Sequence, residues 1–306
     1  MVRPILVTGG EGQLAYALEM AAAARGVTLR RVGRPGFDFD RPETLDAVVR
    51  DTEPSLIVNA AAYTAVDDAE TDPEAAYRAN RDGPARLASL AAELAVPLIH
   101  VSTDYVFDGL KGAPYVEADV TAPTGVYGAS KLAGEAAVLG SAARAIVLRT
   151  SWVYAPRGKN FVLTMLNAAK RTNRLRVVAD QRGCPTAASD LAAAILDISA
   201  RIAAKGWQQD YQGVYHAAGS GWTTWHGLAT AVFHAAETHG VVPPTVEPIT
   251  TAEWPTKAFR PADSRLDSSK LTETFGTRLP DWTSTLSSTI ARIFAADVRP
   301  DSKPNA

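Results

Sequence analysis

The first half of the chain alternates short apolar runs with longer segments of helical periodicity. The apolar runs have the length of strands and cover residues 5–8, 56–59, 97–102 and 145–150. The helical segments follow them, at residues 13–25, 42–52, 73–95 and 127–139. Strands of a parallel sheet are buried on both faces, so they are apolar throughout, and they need crossover helices between them. The alternation therefore predicts an α/β fold with a Rossmann-type doubly wound parallel sheet.

The regular alternation loosens after residue 150. Helical periodicity returns at residues 161–171, 191–204 and 282–295, and short runs of strand character occur at 176–178 and 214–216. We expect a first domain at residues 1–150 and, at 151–296, mainly a smaller carboxy-terminal lobe, of which some segments can return to the first domain. The last residues, 297–306, are polar and contain proline, which predicts a flexible tail.

The composition is that of a globular protein, with 46% hydrophobic and 21% charged residues among 306. A formal net charge of −2 gives no electrostatic basis for binding nucleic acid or an anionic membrane surface. No apolar run of the sequence approaches the roughly 18 residues that a membrane span needs. The single cysteine, Cys184, excludes an internal disulfide and a Cys-rich zinc site. We therefore expect a cytoplasmic protein that binds no metal.

A glycine-rich turn follows the first predicted strand and opens onto a predicted helix. It has the sequence Thr8-Gly9-Gly10-Glu11-Gly12-Gln13-Leu14-Ala15. Its glycines let backbone N–H groups approach a pyrophosphate, and the amino terminus of the helix favours an anion. Such a turn can also join a strand to a helix without a ligand. In this context it predicts a dinucleotide site that includes Gly9, Gly12, Gln13 and Leu14.

The residues near the second strand indicate which dinucleotide binds. An NAD site usually has an acidic residue about 20 residues beyond the turn, where it binds the ribose hydroxyls. This chain has Arg30, Arg31 and Arg34 there, and an arginine can pair with a 2′-phosphate. For any one of them, a solvated surface charge is the alternative. We therefore expect NADPH as the cofactor, with NADH as the alternative, and we expect Asp38 and Phe39 to meet the adenine.

Tyr127 and Lys131 carry the most specific chemistry in the sequence. A separation of four residues places both side chains on one face of a helix, one turn apart. A lysine ammonium near a phenol favours the phenolate and lowers its pKa from about 10, so Tyr127 becomes a usable general acid. By itself, such a pair is more often an aromatic ring packed beside a surface lysine, so its context has to decide.

A hydroxyl at the end of a predicted strand supplies that context. The segment Ser102-Thr103-Asp104-Tyr105 ends the apolar run at 97–102, at the edge where an open parallel sheet holds its ligand. Thr103 can then donate a hydrogen bond to a carbonyl oxygen beside the Tyr127 hydroxyl. Together with Lys131 and the nucleotide turn, these residues predict the active site of an oxidoreductase.

These motifs resemble those of the extended short-chain dehydrogenase/reductase family, and within it the dTDP-4-dehydrorhamnose reductase family, through almost the whole chain. Besides the nucleotide turn, the matching segments are residues 59–67, 102–109, 127–135, 149–154, 160–161, 180–186 and 260–267. The resemblance implies NADPH-dependent reduction of the C4 keto group of a dTDP-linked 4-keto-6-deoxyhexose, dTDP-4-dehydrorhamnose, to dTDP-L-rhamnose. It implies that Tyr127 protonates the C4 oxygen, Lys131 holds the nicotinamide ribose and lowers the pKa of the tyrosine, and Thr103 orients the carbonyl.

The same resemblance implies further contacts. It places along the cofactor Ala62, Tyr63 and Thr64, and against the sugar nucleotide Thr103, Asp104 and Trp152. For Trp152, the sequence alone favours a core aromatic at the domain junction. Asn160 and Arg260 are candidates for the diphosphate and its surroundings, because arginine suits bidentate phosphate contact and an amide donates to oxygen. For Arg260, the fixing of a loop is an equal alternative.

Two other functions are compatible with parts of the sequence. A sugar-nucleotide epimerase or dehydratase would keep the fold, but Asp104-Tyr105 stands where the related dehydratases carry Asp-Glu. A non-catalytic NADP-binding subunit, like the regulatory subunit of methionine adenosyltransferase, also resembles this group. The intact Thr103, Tyr127 and Lys131 disfavour it, and we expect an enzyme.

The expected oligomeric state follows from two positions. Some members of the resembled family are magnesium-bridged dimers, and the positions of their bridging carboxylates correspond to Ala17 and Ser189 in this chain. These residues lack the charged oxygens that a hard divalent ion needs. We therefore expect a monomer or a weak homodimer without a bridging metal.

Overall fold

A six-stranded parallel sheet lies at the centre of the computed structural model, which describes residues 3–141 and 143–297. The described strands are β1 (Ile5–Thr8), β2 (Leu29–Val32), β3 (Leu56–Asn59), β4 (Leu98–Thr103), β5 (Ala145–Thr150), β6 (Val153–Tyr154), β7 (Arg174–Val178), β8 (Arg182–Gly183), β9 (Thr186–Ala187), β10 (Gly213–His216), β11 (Thr223–Thr224) and β12 (Thr245–Ile249). The strand order in the central sheet is β10-β5-β4-β3-β1-β2, and all of its neighbours pair in parallel.

Helices cover both faces of this sheet. The described helices are α1 (Gln13–Ala24), α2 (Pro42–Thr52), α3 (Val66–Ala69), α4 (Pro73–Tyr77), α5 (Gly83–Glu93), α6 (Val126–Leu139), α7 (Phe161–Ala169), α8 (Ala188–Lys205), α9 (Trp225–Glu237), α10 (Ser269–Phe275) and α11 (Trp282–Asp297). Apolar residues of α1 and α8 pack against one face, and those of α2, α5 and α6 pack against the other. The predicted α/β fold with a Rossmann-type parallel sheet is therefore confirmed.

The sequences of the strands follow from their places in the sheet. Every residue of β1, β3 and β5 is buried, as expected for strands that are covered on both faces. Strand β2 lies at the edge and is largely half-buried. Because its sequence is Leu-Arg-Arg-Val, this edge carries charged side chains beside the end of β1.

The carboxy-terminal part of the chain builds a second core and also adds to the first. Helices α7, α9 and α11 enclose a separate apolar cluster, next to a two-stranded parallel sheet of β7 and β12. The predicted strand at 176–178 lies in this small sheet. The predicted strand at 214–216 lies in β10, which pairs with β5 at the edge of the central sheet. Strand β10 and helix α8 thus belong in space to the central sheet and its helical cover, although they follow residue 150 in the sequence.

The helix predicted at 73–95 is interrupted. Helix α4 ends at Tyr77, a turn of π-helix covers Arg78–Asp82, and α5 begins at Gly83. Pro84 has no N–H to donate to the carbonyl of Asn80, so a regular helix cannot continue through this point. That carbonyl instead packs against Gly134 of α6. The periodicity of apolar residues predicted a continuous helix because it does not register a missing backbone donor.

The described residues contain neither a membrane-spanning helix nor a cluster of metal-ligating side chains. No helix within 3–141 or 143–297 has both the length and the apolar character to cross a membrane. Among the same residues, His, Cys, Asp and Glu side chains form no group of three that could hold a metal ion. The predicted tail at 297–306 lies outside the described residues except for Asp297, at which α11 ends.

We expect Gly134→Ala to destabilise the protein, because its methyl group would lie 2.0 Å from the Asn80 carbonyl oxygen. Overpacking of this kind lowers the free energy of unfolding by about 1–3 kcal/mol, and urea unfolding measures it. Gly36→Ala is the matched control, since the nearest neighbour of its new methyl group lies 3.9 Å away. The control should change the free energy by less than about 0.5 kcal/mol. Equal stability of the Gly134→Ala variant and the native protein would contradict this packing.

Candidate active site

A cleft of about 1030 Å³ opens where β1, β3, β4 and β5 end. It brings together most of the residues that the sequence analysis singled out. Those in its wall are Gly9, Gly12, Gln13, Leu14, Arg34, Phe39, Ala62, Tyr63, Thr64, Thr103, Asp104, Tyr127, Lys131 and Trp152. In the described part of the chain, Asp38, Asn160 and Arg260 lie outside this lining. The nucleotide turn thus shares one cavity with a hydroxyl, a phenol and an ammonium group.

The glycine-rich turn has the backbone geometry that close approach of a ligand requires. Gly9 has a φ of 110°, and a Cβ on it would lie 3.0 Å from the backbone of Ala60. A Cβ on Gly33, after β2, would lie 2.4 Å from the Cα of Gly10. Helix α1 begins directly after this turn and has no acidic residue in its first turn. Its amino-terminal N–H groups therefore suit an anion, and the residues present fit a dinucleotide pyrophosphate.

Two of the three arginines near β2 are bound to other parts of the chain. Arg30 donates to Thr52 Oγ1 at 2.9 Å, away from the cleft lining. Arg31 lies between two carboxylates, 2.8 Å from Glu11 and 3.1 Å from Glu19. The same guanidinium donates to a carbonyl of the glycine turn at 2.7 Å. Arg31 therefore braces the turn, and its charge is balanced locally.

Arg34 differs from its two neighbours. Its side chain is 75% exposed at the cleft and lies 3.6 Å from the carboxylate of Asp38. An exposed guanidinium can turn towards a phosphate at little cost, so Arg34 is the best placed of the three for a 2′-phosphate. Asp38, expected at the adenine, instead accompanies Arg34, while Phe39 remains in the cleft wall.

Asn80, which the sequence patterns did not identify, holds the cleft-lining segment at Tyr63. Its Oδ1 accepts a hydrogen bond from the Tyr63 N–H at 2.8 Å, and its Nδ2 donates to the Tyr63 carbonyl at 3.1 Å and to Ser130 Oγ at 3.0 Å. Asn80 is fully buried. It thus ties the segment after β3 to helix α6. The signal in the sequence was its helical spacing from Ala76 and Leu87, which places an amide on the apolar face of the predicted helix.

Thr103, Tyr127 and Lys131 meet at the base of the cleft. Thr103 lies at the end of β4, and its Oγ1 accepts from the Tyr105 N–H at 3.2 Å. Tyr127 and Lys131 lie one turn apart on α6. The buried Lys131 ammonium donates to the Val101 carbonyl at 2.6 Å, so strand β4 fixes the lysine as well as the threonine.

The expectation that Lys131 lowers the pKa of Tyr127 is wrong for this structure. Burial raises the pKa of the Tyr127 phenol to about 12, and a hydrogen bond with Thr103 opposes this shift in part. The ring of Tyr105 lies edge-on at 5.5 Å and adds to the apolar surroundings. The phenol is therefore protonated at neutral pH, which suits a donor of a proton to a carbonyl oxygen.

Burial also shifts the charged groups beside this phenol towards their neutral forms. It lowers the pKa of Lys131 to about 8, while the negative charge of Glu135 acts in the opposite direction. It raises the pKa of Asp104 to about 6. Asp104 Oδ1 accepts from Thr103 Oγ1 at 3.1 Å, and hydrogen bonds with Ser264 and Ser151 also oppose the effect of burial on the pKa of this carboxyl.

Trp152 has a partner that the sequence did not reveal. Its φ of 47° is unusual for a residue with a side chain, and its ring stacks on Trp225 with the centroids 3.5 Å apart. Trp225 Nε1 donates to Gln181 Oε1 at 3.0 Å. On the other side, a Cβ on Gly183 would lie 2.3 Å from the Trp152 ring. Both tryptophans line the cleft, so the indole at 152 is held there by the carboxy-terminal lobe.

Asn160 has a structural role in this fold. Its Oδ1 accepts from the Leu163 N–H at 3.0 Å and caps helix α7. Its Nδ2 donates to Gln13 Oε1 at 2.8 Å. Asn160 therefore reaches the nucleotide turn through the Gln13 side chain, and its amide already has partners where a diphosphate contact was expected.

Arg260 forms a contact between the two halves of the chain. Its guanidinium pairs with both carboxylate oxygens of Asp67, at 2.7 and 3.1 Å. This pair lowers the pKa of Asp67 to about 2. The Asp67 carboxylate thus occupies the bidentate face of the Arg260 guanidinium. The loop-fixing alternative describes this geometry better.

The chain is similar to known reductases of sugar nucleotides. A dTDP-4-dehydrorhamnose reductase from Sinorhizobium fredii is 48% identical over 278 residues, which are 91% of this chain and 93% of the relative. A probable dTDP-4,6-dihydroxy-2-methyloxan-3-one 4-ketoreductase from Streptomyces antibioticus is 40% identical over 296 residues, 96% of this chain and 97% of the relative. The crystal structure of dTDP-4-dehydrorhamnose reductase from Bacillus anthracis in complex with NADP has a TM-score of 0.87 and 30% identity, and it covers 95% of this chain and 100% of that chain.

A family model accounts for nearly the same span. The model described as RmlD substrate binding domain matches residues 3–294. The resemblance seen in the sequence motifs is thereby confirmed. The chain therefore belongs to the family of the RmlD substrate binding domain.

Proposed function

We propose that the chain reduces the C4 keto group of dTDP-4-dehydro-6-deoxy-L-mannose to give dTDP-L-rhamnose, with NADPH as the reductant. The observation that carries this proposal is the cleft that Thr103, Tyr127 and Lys131 line together with the nucleotide turn. The relatives at 48% identity and below bear the name of this activity. A purely NADP-binding subunit would have no need of the buried phenol and its threonine partner.

The first part of the chain would hold the cofactor. We assign the pyrophosphate to the turn from Gly9 to Gly12 and the 2′-phosphate to Arg34, on the basis of their geometry and exposure. The adenine would lie by Phe39, and the nicotinamide ribose by Lys131, whose ammonium has three donors and gives one to Val101. When bound, NADPH supplies the hydride for C4 of the sugar. This assignment makes residues 1–150 the NADP-binding domain.

The phenol would supply the proton. Tyr127 donates it to the C4 oxygen as that oxygen gains charge. The Thr103 hydroxyl, which donates to Asp104 Oδ1 in this structure, would donate its hydrogen bond to the C4 oxygen instead. The high pKa of the buried phenol keeps it protonated until the oxygen becomes basic. Proton and hydride together convert the ketone to an alcohol, so no further acid is needed.

The second part of the chain would hold the sugar nucleotide. Asp104, a cleft-lining carboxyl beside Thr103, suits a sugar hydroxyl, and the stacked Trp152 suits the apolar side of a deoxyhexose. This assignment makes residues 151–296 mainly the substrate lobe. Asn160 and Arg260 would act indirectly, through Gln13 and Asp67.

The experiment that tests the function is a substrate panel. The purified protein is mixed with NADPH and nucleotide-linked 4-keto-6-deoxyhexoses, and loss of NADPH absorbance is recorded. The panel varies the base, thymine or uracil, and the 2-hydroxyl of the sugar. A 2-deoxy substrate is included because the Streptomyces antibioticus relative is named for such a ketone. Oxidation with the dTDP-linked sugars and formation of dTDP-L-rhamnose are expected, and the absence of any oxidation would contradict the proposal.

We expect Tyr127→Phe to abolish most turnover while the fold remains, because it removes one hydroxyl and keeps the ring. Loss of general acid catalysis should lower kcat by about 10²- to 10⁴-fold. The affinity for NADPH should change little, since the turn and Lys131 are intact. Measurement of kcat at saturating NADPH tests this. A kcat within about threefold of the native value would remove Tyr127 from the acid role.

We expect Arg34→Ala to weaken NADPH binding more than NADH binding, because the exposed guanidinium would meet the 2′-phosphate that NADH lacks. The loss of one charge-assisted contact corresponds to about 1.5–3 kcal/mol, and fluorescence titration with both cofactors measures it. Arg30→Ala is the matched control, since Arg30 binds Thr52 away from the cleft. An equal effect of the two variants on NADPH would rule out this assignment.

We expect kcat/KM for NADPH to fall as the pH rises through about 8. Burial lowers the pKa of Lys131 to about 8, so the ammonium is present below that pH and is lost above it. Tyr127 does not cause this limb, because its pKa is about 12. A rate profile of the free enzyme reports such groups. A profile that stays flat well above pH 8 would show that the charge of Lys131 is not needed.

A further inference from the structure

A buried carboxylate lies directly behind the residues assigned to catalysis. The Glu135 side chain is 3% exposed, and its Oε2 lies 2.6 Å from Nη2 of Arg149, which is 5% exposed. Arg149 Nε donates to the Glu135 Oε1 at 2.9 Å, so the pair is bidentate. The Ser102 hydroxyl also donates to Oε1, at 2.5 Å. Ser102 lines the cleft, whereas Glu135 and Arg149 lie outside its lining in the described chain.

The three elements joined by this carboxylate are those that carry the site. Ser102 directly precedes Thr103 on β4, and Glu135 lies one turn after Lys131 on α6. Arg149 is the register partner of Ser102 on β5, the strand that leads to Trp152. One anion thus sets the distance between the threonine, the tyrosine–lysine helix and the strand end.

Aromatic side chains pack against the Arg149 guanidinium. The Arg149 guanidinium lies over the Phe107 ring, 5.1 Å from its centroid. Phe107 stacks on Tyr115 with the centroids 4.1 Å apart, and it meets His216 edge-on at 5.7 Å. Because the partners on both sides are packed, the pair has little freedom to relax if one member is changed.

The charge of Glu135 also reaches the lysine. It raises the pKa of the Lys131 ammonium against the effect of burial. The buried His100 on β4 is next to Lys131 and is neutral, because burial holds its pKa well below the usual value. Tyr127, Asp104 and Tyr105 line the same cleft. The uncharged Asn80 of the π-helical turn donates a hydrogen bond to Ser130 on the same helix as Lys131, α6.

We propose that Glu135 is a positioning residue for the reduction, which it serves by fixing Thr103 and Lys131 relative to each other through Ser102 and Arg149. This proposal rests on the proposed function. A buried ion pair is weak evidence of a role in stability, since its replacement by apolar residues of similar volume often leaves the free energy of unfolding unchanged or raises it. Here the pair connects β4, α6 and β5 at the edge of the sheet that carries the cleft. A displacement of the reacting groups by about 1 Å at this edge can lower the rate.

The principal test compares Glu135→Gln with the native enzyme. The change keeps the size of the side chain and removes its charge. We expect kcat/KM for the 4-keto sugar to fall about 10- to 100-fold. We also expect the upper limb of the pH profile for NADPH to move to lower pH, because the Lys131 ammonium loses the negative charge that raises its pKa. The affinity for NADPH at pH 8 should fall in parallel.

Three further variants separate positioning from stability. Leu90→Ala creates a cavity in the apolar core on α5 and should lower the Tm with kcat/KM within about twofold of native at temperatures where it is folded. Glu135→Gln with Arg149→Met removes both buried charges and should restore much of the Tm without restoring kcat/KM. If neither variant at Glu135 folds, Ser102→Ala removes the hydrogen bond that joins Glu135 to β4 beside Thr103 and leaves the ion pair in place. This variant should still lower kcat/KM, and an unchanged kcat/KM would overturn the proposal.

Each outcome decides the matter. A Glu135→Gln enzyme that is folded, has kcat/KM within about threefold of native and keeps the native pH profile overturns the proposal. So does a double variant whose kcat/KM returns together with its Tm, because that is the behaviour of a stability role. If the native protein oxidises no NADPH with any sugar, the proposed function fails by itself. The proposal is then decided by NADPH titrations, in which an unchanged affinity and pH dependence for Glu135→Gln overturns it.

Discussion

The six central strands all run in parallel, and this alignment determines where the cleft can form. Because the strands run in one direction, their carboxyl ends meet at one edge, and the segments that follow them form the walls of the cleft. Strands β2 and β3 lie on opposite sides of β1, so the chain reverses its direction of winding at β1. Open sheets of this kind hold their ligands at such a point. The nucleotide turn, at the end of β1, lies there.

The same register that builds the sheet also satisfies the polar groups inside it. Thr8 and Asn59 are register partners on β1 and β3, and the Thr8 hydroxyl donates to Asn59 Oδ1 at 2.6 Å. Asn59 and His100 are partners on β3 and β4, and their side chains are 3.0 Å apart. Buried polar groups are costly unless they are hydrogen-bonded. Pairing across neighbouring strands therefore lets polar side chains stand within an apolar core, close to the cleft.

Burial gives the cleft its chemical character. It shifts the pKa of Asp104 upwards and that of Lys131 downwards, to about 6 and about 8, and it keeps the Tyr127 phenol protonated. Each of these shifts favours the neutral form, and charge is worth more in such surroundings than in water. The strained backbone at Trp152 is held by its stack on Trp225. The packing of the carboxy-terminal lobe thus stabilises a conformation that the local sequence does not favour.

Local patterns in the sequence predicted the buried strands of the sheet and most of its helices, the glycine turn and the spacing of Tyr127 and Lys131. These features are local, since a period of 3.6 residues, an apolar run or a missing Cβ acts within a few positions of the chain. The tertiary structure alone decided that Arg260 pairs with Asp67, that Trp225 stacks on Trp152, and that the pKa of Tyr127 rises. Periodicity records which face of an element is buried, but not which distant side chain it meets there. Ion pairs and pKa shifts depend on distances of a few ångströms between such segments, and the fold is what sets those distances.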